Sequence, residues 1–356
     1  MRLISIGSVP PKHGGNTRGG VATLHSTITQ EFINNPELGI EVVSVIAPNS
    51  DNSHDPITGL PYIQRAPNES RTDCLKRAIS SFNPDCIFVH HITHSWAAAL
   101  KGIPNLPLCV GYVHSLNAIN PQHDPNHQSK RKLMNQATPH FDLLIFNTPH
   151  SHSRAIEMDV EIPCPVEVLP PPVARSFINH DIVDGPRECR GIFIGRLDNN
   201  KNILNVLTSF SDLSSKIEFD VVGSGPLKSE IDDIAEFQTT TNFHAELDSN
   251  RISELLSNAS FLCVPSHYES FGLVYVESLC MGVPIIGFGP SVEFIEDLMD
   301  LPCGIGLTDP TPENIAAAID DLLGKDWNYS LISSRARTVF NPSRYAQQLS
   351  EILNRY

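Results

Sequence analysis

A chain of 356 residues with 40% apolar and 18% charged side chains is long enough for two domains that each bury a core, and its 28 prolines suit a globular protein with many loops. No run of about 18 apolar residues argues for a membrane span, and the eight cysteines, without a CxxC pair, argue against a zinc site or a disulfide framework. The net charge of −15 falls almost wholly after residue 175, which makes that half repel polyanions and makes nucleic acid an unlikely partner.

Met1-Arg2 leads straight into an apolar segment, so the chain is expected to start on a strand and the protein to be cytoplasmic. Strands are expected over 3–7, 41–47, 86–90, 108–114, 143–147 and 166–169, with helical patterns over 21–32, 72–82 and 129–137 between them. This alternation predicts a parallel, doubly wound sheet. The triplet Pro170-Pro171-Pro172 interrupts it and is the hinge candidate.

A second series follows, with strands over 191–195, 218–222, 261–265 and 283–288 and helices over 203–210, 227–237, 251–258 and 313–323. The expected fold class is therefore α/β with two Rossmann-like domains, 1–172 and 173–340. The last segment, 341–356, reads as a helix.

Several loops carry candidate chemistry. The cluster His13-Gly14-Gly15-Asn16-Thr17-Arg18-Gly19-Gly20 joins the first strand to the first helix. It lacks the spacing of a dinucleotide fingerprint, and 47–49 offers no acid at the end of the second strand. Gly19 and Gly20 would let backbone approach a ligand at a helix N-terminus, although a plain turn has the same composition. His114 closes the strand over 108–114. His123-Asp124-Pro125-Asn126-His127 imitates a metal site, but its Pro and Asn work against a helix carrying both imidazoles on one face, so no metal is expected. Arg71, Lys76 and Arg77, and Lys130, Arg131 and Lys132, form two basic spots that suit a solvated face or a peripheral membrane contact.

In the second half, Gly195-Arg196-Leu197-Asp198-Asn199-Asn200-Lys201-Asn202 follows a strand and opens a helix. Lys201, expected in the first helical turn, opposes the helix dipole unless an anion or solvent offsets it. Arg196 supplies a forked donor, and two cations in an acidic domain suggest a bound diphosphate. Gly223-Ser224-Gly225-Pro226 is a turn at the next strand end. The stretch SHYESFGLVYVESLCMGVPIIGF over 266–288 sets Glu269 and Glu277 on either side of a loop-to-helix junction, with a helix expected over 271–281 and Gly282 as its stop. Ser270, Phe271, Gly272 and Leu273 form the junction, where backbone N–H groups and the helix dipole favour an anion. By itself the pair is also compatible with a capping Glu on a helix that merely packs against the sheet.

These motifs, in this order, resemble the family 4 (group 1) glycosyltransferases of GT-B fold. The resemblance implies two Rossmann-like domains facing a cleft, the N-terminal one binding an acceptor and the C-terminal one a nucleotide-sugar, with the last helix crossing back to the first domain. It implies a retaining transfer of a hexose-type sugar from a nucleoside-diphosphate sugar to a hydroxyl acceptor, with no cofactor and no metal. Arg196, Lys201 and the N–H groups of 271–273 would hold the diphosphate, Glu277 the ribose, Glu269 the sugar, and His114 would face sugar and acceptor. Gly19, Gly20 and Gly223 would border the donor. A hydrolase or epimerase acting on sugar nucleotides, or a non-catalytic nucleotide-sugar binder, would share the same residues.

Overall fold

The computed structural model describes residues 1–8, 20–46, 63, 65–66, 68–90, 92, 95–121, 124–180, 182, 187–214, 216–235 and 241–356. The chain divides into two compact units, 1–172 with 342–356, and 173–341.

The first unit is built on one parallel sheet of six strands: β1 (Arg2–Ile6), β2 (Glu41–Ile46), β3 (Cys86–Val89), β4 (Leu108–Val113), β5 (Leu143–Phe146) and β6 (Val166–Val168), in the order β2-β1-β3-β4-β5-β6. Between them run α1 (Gly20–Asn34), α2 (Arg71–Phe82), the single-turn α3 (Ser95–Ala98), α4 (His127–Ala137) and α5 (Pro149–Glu157). The central strands are apolar at every position because helices cover both faces; Cys86–Val89 and Leu143–Phe146 are buried throughout. Both α2 and α5 start on side-chain caps, Ser70 accepting from Asp73 N–H and Thr148 from Ser151 N–H. The strand order reverses between β1 and β3, which makes their carboxyl ends the switch point of this sheet.

The second unit opens with the short α6 (Arg175–Ile178). It continues with β7 (Arg190–Ile194), α7 (Ile203–Ser209), β8 (Glu218–Val222), α8 (Lys228–Ala235), β9 (Thr241–His244), α9 (Ser249–Asn258) and β10 (Phe261–Cys263). Then come α10 (Leu273–Cys280), β11 (Ile285–Phe288), α11 (Gly289–Met299), β12 (Gly304–Leu307), α12 (Pro312–Leu323) and α13 (Tyr329–Val339). Its sheet order, β12-β11-β10-β7-β8-β9, is that of a dinucleotide-binding Rossmann sheet, with the switch point between β7 and β10. The strands β9 and β12 and the helices α5, α11 and α13 were not expected from the pattern.

The last helix, α14 (Pro342–Leu353), belongs to the first unit. Tyr345, Ala346, Leu349 and Leu353 enter the core formed by Leu24, Ile28 and Phe32 of α1 and Tyr112 of β4. Two hydrogen bonds fix it, Ser343 Oγ–H to Glu31 Oε2 at 3.0 Å and Ser350 Oγ–H to the Leu38 carbonyl at 2.9 Å. Because Leu349 is wholly buried in this seam, Leu349→Ala is expected to cost about 2–5 kcal/mol in urea unfolding, while Gln347→Ala on the exposed face changes little.

Candidate active site

Two loops leave the switch point of the second unit, one after β7 and one after β10. In the first, Asp198 Oδ1 accepts from the Lys201 N–H at 3.0 Å, and Asn202 takes the left-handed conformation (φ 60°) that Asn tolerates. The helix starts at Ile203, where the pattern places it, so Lys201 stands just before α7 and not in its first turn as expected. The ammonium of Lys201 donates to Glu269 Oε1 of the second loop, and the Ser266 hydroxyl donates to the same oxygen at 3.0 Å. Asn200 joins the loops twice more: Nδ2 donates to the Tyr268 carbonyl at 3.1 Å, and its own carbonyl accepts from His267 N–H at 2.9 Å. Lys201 and Glu269 are 68 residues apart in sequence and directly paired in space.

Arg196 is not part of this pair. Its side chain is 73% exposed and its ion pair is with Asp198 at 3.4 Å. Gly223 lies beside the β7 turn with φ +147°, and a Cβ there would come within 1.9 Å of the Gly195 carbonyl oxygen. The strand ends can approach this closely only with glycine at that position.

The junction into α10 is set by Gly272 and Tyr275. Gly272 has φ +88°, and a Cβ on it would strike the Tyr275 ring at 2.2 Å. Tyr275, fully buried, donates its hydroxyl proton to the Val264 carbonyl at 2.7 Å and accepts from Phe288 N–H at 3.0 Å, so it ties the ends of β10 and β11 beneath the helix. The N-cap of α10 is Gly272, which has no side chain to cap it, and the first turn carries no acid. Phe271 points into the core against Phe340, Ser270 is buried near the Tyr268 hydroxyl, and Leu273 is half-buried. Any ligand contact from 271–273 is thus a backbone contact. Gly282 ends the segment at φ +76°, as the pattern predicts.

Glu277 sits on the second turn of α10, where desolvation pushes its pKa up to about 8. The two carboxylates therefore differ: Glu269 is held by a cation and a hydroxyl, whereas Glu277 is half-buried where desolvation disfavours its charge.

In the first unit, Gly20 is the exposed first residue of α1, while Gly19, the rest of its glycine loop, 47–49 and His123 lie outside the described residues. His114 follows β4 directly, and its Nε2 lies 3.0 Å from Nδ1 of His90, at the end of β3. Half of the cations in the basic spots are paired: Arg77 with Glu69 at 2.8 Å, Lys130 with Asp124 at 2.5 Å and Arg131 with Asp159 at 3.1 Å. Among the described residues, no group of three or more His, Cys, Asp or Glu is placed to hold a metal ion, and no helix is long and apolar enough to cross a membrane. Sequence reasoning missed Ser266, Asn200, Tyr275 and His90. For His90 a signal existed, since it ends its strand as His114 does.

Two parallel Rossmann-type units, with paired loops at the switch point of the second, define a protein of GT-B fold. The fold is shared over the full chain by sucrose-phosphate synthase from Thermosynechococcus elongatus (TM-score 0.77, 17% identity, covering 100% of this chain and 99% of that one). It is shared also by the Anabaena protein HepE in complex with UDP and glucose (TM-score 0.75, 14% identity, 99% of each chain). Residues 18–177 match the model of Glycosyltransferase Family 4, and residues 188–339 match that of Glycosyl transferases group 1. The chain belongs to this family of glycosyltransferases. An uncharacterized glycosyltransferase of Methanocaldococcus jannaschii is 23% identical over 175 residues, 46% of this chain and 44% of that protein. The alpha-monoglucosyldiacylglycerol synthase of Streptococcus pneumoniae is 30% identical over 102 residues, 27% of this chain and 23% of that protein. The chain thus spans less than half the length of these curated relatives.

The raised pKa of Glu277 makes a stability prediction. Below its ordinary value of 4.5 both folded and unfolded states hold the proton; between 4.5 and about 8 only the folded state does, so this group's contribution to stability falls as pH rises through that window. Glu277→Gln has no proton to lose. The melting temperature of the variant relative to wild type is expected to climb from pH 5 to pH 8 in a calorimetric series, and a constant difference would contradict the assignment.

Proposed function

We propose that the protein transfers a sugar from a nucleoside-diphosphate sugar to a hydroxyl acceptor with retention of configuration, and that it does so without a metal ion. The observation that carries this reading is the Lys201–Glu269 pair at the switch point of the second unit. A cation and a carboxylate are held there, partly desolvated, beside a helix N-terminus with no side-chain cap. The structures of HepE with UDP and glucose support a nucleotide-sugar as the donor class.

In this reading Lys201 exchanges Glu269 for the diphosphate when the donor binds. Arg196, exposed at the rim, swings inward, and with the N–H groups of 271–273 it completes the anion site. As the anomeric carbon–oxygen bond breaks, negative charge grows on the leaving diphosphate, and groups already oriented toward it stabilise the transition state more than the ground state. Glu269 is released to orient sugar hydroxyls beside the anomeric carbon. Glu277 accepts from the ribose hydroxyls, and Gly223 gives backbone access beside them. The acceptor hydroxyl adds to the same face of an oxocarbenium-like centre and passes its proton to the departing phosphate oxygen. His114, in the first unit, contacts the sugar and the incoming acceptor. The acceptor is a glycan, a lipid-linked sugar or a small molecule, and the exposed Arg71, Lys76 and Lys132 are the cations of the two basic spots left for a peripheral membrane contact.

Glu269→Ala and Lys201→Ala are each expected to lower transfer about 10²–10³-fold while circular dichroism shows a folded chain. The donor is found first, by thermal stabilisation against a panel of UDP-, GDP- and ADP-sugars in EDTA. Wild-type turnover in both variants would remove the assignment. Release of nucleoside diphosphate without a glycosylated product would make the protein a hydrolase, and donor binding without any release would make it a binding protein.

A further inference from the structure

The helix α10, to whose first N–H groups the proposed function assigns the diphosphate, is held at its far end by another helix. An α-helix leaves its last carbonyls without partners of its own, and in a largely buried helix they have to be met from outside. Backbone meets two of them in α10. The Ser278 carbonyl accepts from Met281 N–H and Val283 N–H, both at 3.0 Å, and the Leu279 carbonyl accepts from Gly282 N–H at 2.9 Å. Side chains meet the next two. The Ser333 hydroxyl and Arg337 Nε–H of α13 donate to the Cys280 carbonyl at 2.6 and 2.9 Å, and Arg187 Nη2 donates to the Met281 carbonyl at 3.0 Å.

The two guanidinium groups are tied down in turn. Arg337 also donates to the His180 carbonyl. Arg187 also donates to the Ala259 carbonyl at 2.7 Å, and its guanidinium lies 4.4 Å from the ring centre of Tyr329, the first residue of α13. Two cations thus stand at the negative end of the α10 dipole. Gly282 brings the two helices together, since its φ is +76° and a Cβ there would lie 2.6 Å from the Tyr329 carbonyl oxygen. Contact resumes at the other end of α10. Phe340, which follows α13, meets the ring of Phe271 edge to face with 5.9 Å between centroids, and its carbonyl accepts from Val173 N–H at 3.2 Å. So α13 runs antiparallel along α10, from Gly282 beyond the last turn to Phe271 before the first.

We propose that α13 is a splint for α10, and that Ser333 and Arg337 are positioning residues for the N–H groups of 271–273. A helix of eight residues is a stiff rod about 12 Å long, so fixing its last turn fixes where its first turn stands. Donors aimed before the ligand arrives hold it without reorganisation, and a small displacement is enough to lose that advantage. What these N–H groups bind rests on the proposed function; the hold of α13 on α10 does not.

Two measurements test this. They use Ser333→Ala combined with Arg337→Met, which removes both side-chain donors to the Cys280 carbonyl, and Arg337→Lys, which keeps a cationic donor. In the free protein, amide hydrogen exchange over 271–276 should accelerate in the double variant about tenfold more than over Phe219–Val222 of β8, which reports global unfolding, with Arg337→Lys between it and wild type. In calorimetric titration well below the unfolding midpoint, the nucleoside diphosphate (UDP, GDP or ADP) whose sugar stabilises wild type should bind the double variant about tenfold more weakly, with Arg337→Lys again between. A role in stability alone speeds exchange over both segments alike and leaves the affinity of the folded protein unchanged; either result overturns the proposal. If the double variant does not fold, Ser333→Ala and Arg337→Lys are measured singly. Each is expected to move both readouts about threefold in the same direction, and wild-type values in both variants overturn the proposal. If wild type binds none of the three nucleotides, exchange alone decides the splint, and only the functional reading has failed.

Discussion

The ion pair between Lys201 and Glu269 is the constraint on which the second unit's site depends. Two charges partly removed from water cost desolvation that their mutual attraction only partly returns, so such a pair is weak ground for stability. Its surroundings reduce that cost: the Ser266 hydroxyl satisfies the carboxylate, and Asp198 fixes the backbone of Lys201. Asn200 sews the two loops together across the switch point. In the function proposed above, the two charges part when the donor binds, the ammonium to its phosphates and the carboxylate to its sugar.

The scaffold beneath the pair explains why the loops sit where they do. Parallel order places both loops at carboxyl ends of neighbouring strands, β7 and β10. Glycine at 223 lets the β8 turn pass against the Gly195 carbonyl, and Gly272 lets the chain enter α10 over the Tyr275 ring. Tyr275 spends its one hydroxyl on Val264 and Phe288, so a single buried side chain sets the height of the helix N-terminus above two strands. The same helix carries Glu277 to a half-buried place where desolvation disfavours its charge, which separates its chemistry from that of Glu269.

Much of this was legible in the sequence, and the reasons for the rest are physical. Central parallel strands announce themselves as apolar runs because both faces are covered, which is why 86–90 and 143–147 stand out. The edge strands Thr241–His244 and Gly304–Leu307 are short, half-exposed and poor in branched apolar residues, so they look like loops. Helix Gly289–Met299 opens with Gly-Pro, which reads as a turn. The sequence identifies Glu269 and Lys201 as candidates, yet nothing in one dimension says that residues 68 apart share a proton-donating contact. The apolar pattern starts the helix at Ile203, but that Asn202 turns left-handed before it, leaving Lys201 in the loop, is not legible in periodicity. Ser266 and Asn200 are small polar residues in loops, invisible until their partners are known. His90 differs, since a second strand-end histidine beside His114 becomes legible as soon as β3 and β4 are paired.

The central claim is that Lys201 at the switch point is there for the second phosphate of a nucleotide. Calorimetric titration of the nucleoside diphosphate and the matching monophosphate into wild type and Lys201→Ala, in EDTA, measures this directly. The account predicts that the extra phosphate raises affinity about tenfold or more in wild type and that this increment largely disappears in the variant. Equal affinity of wild type for the two nucleotides, or an increment unaffected by loss of the ammonium, would contradict it.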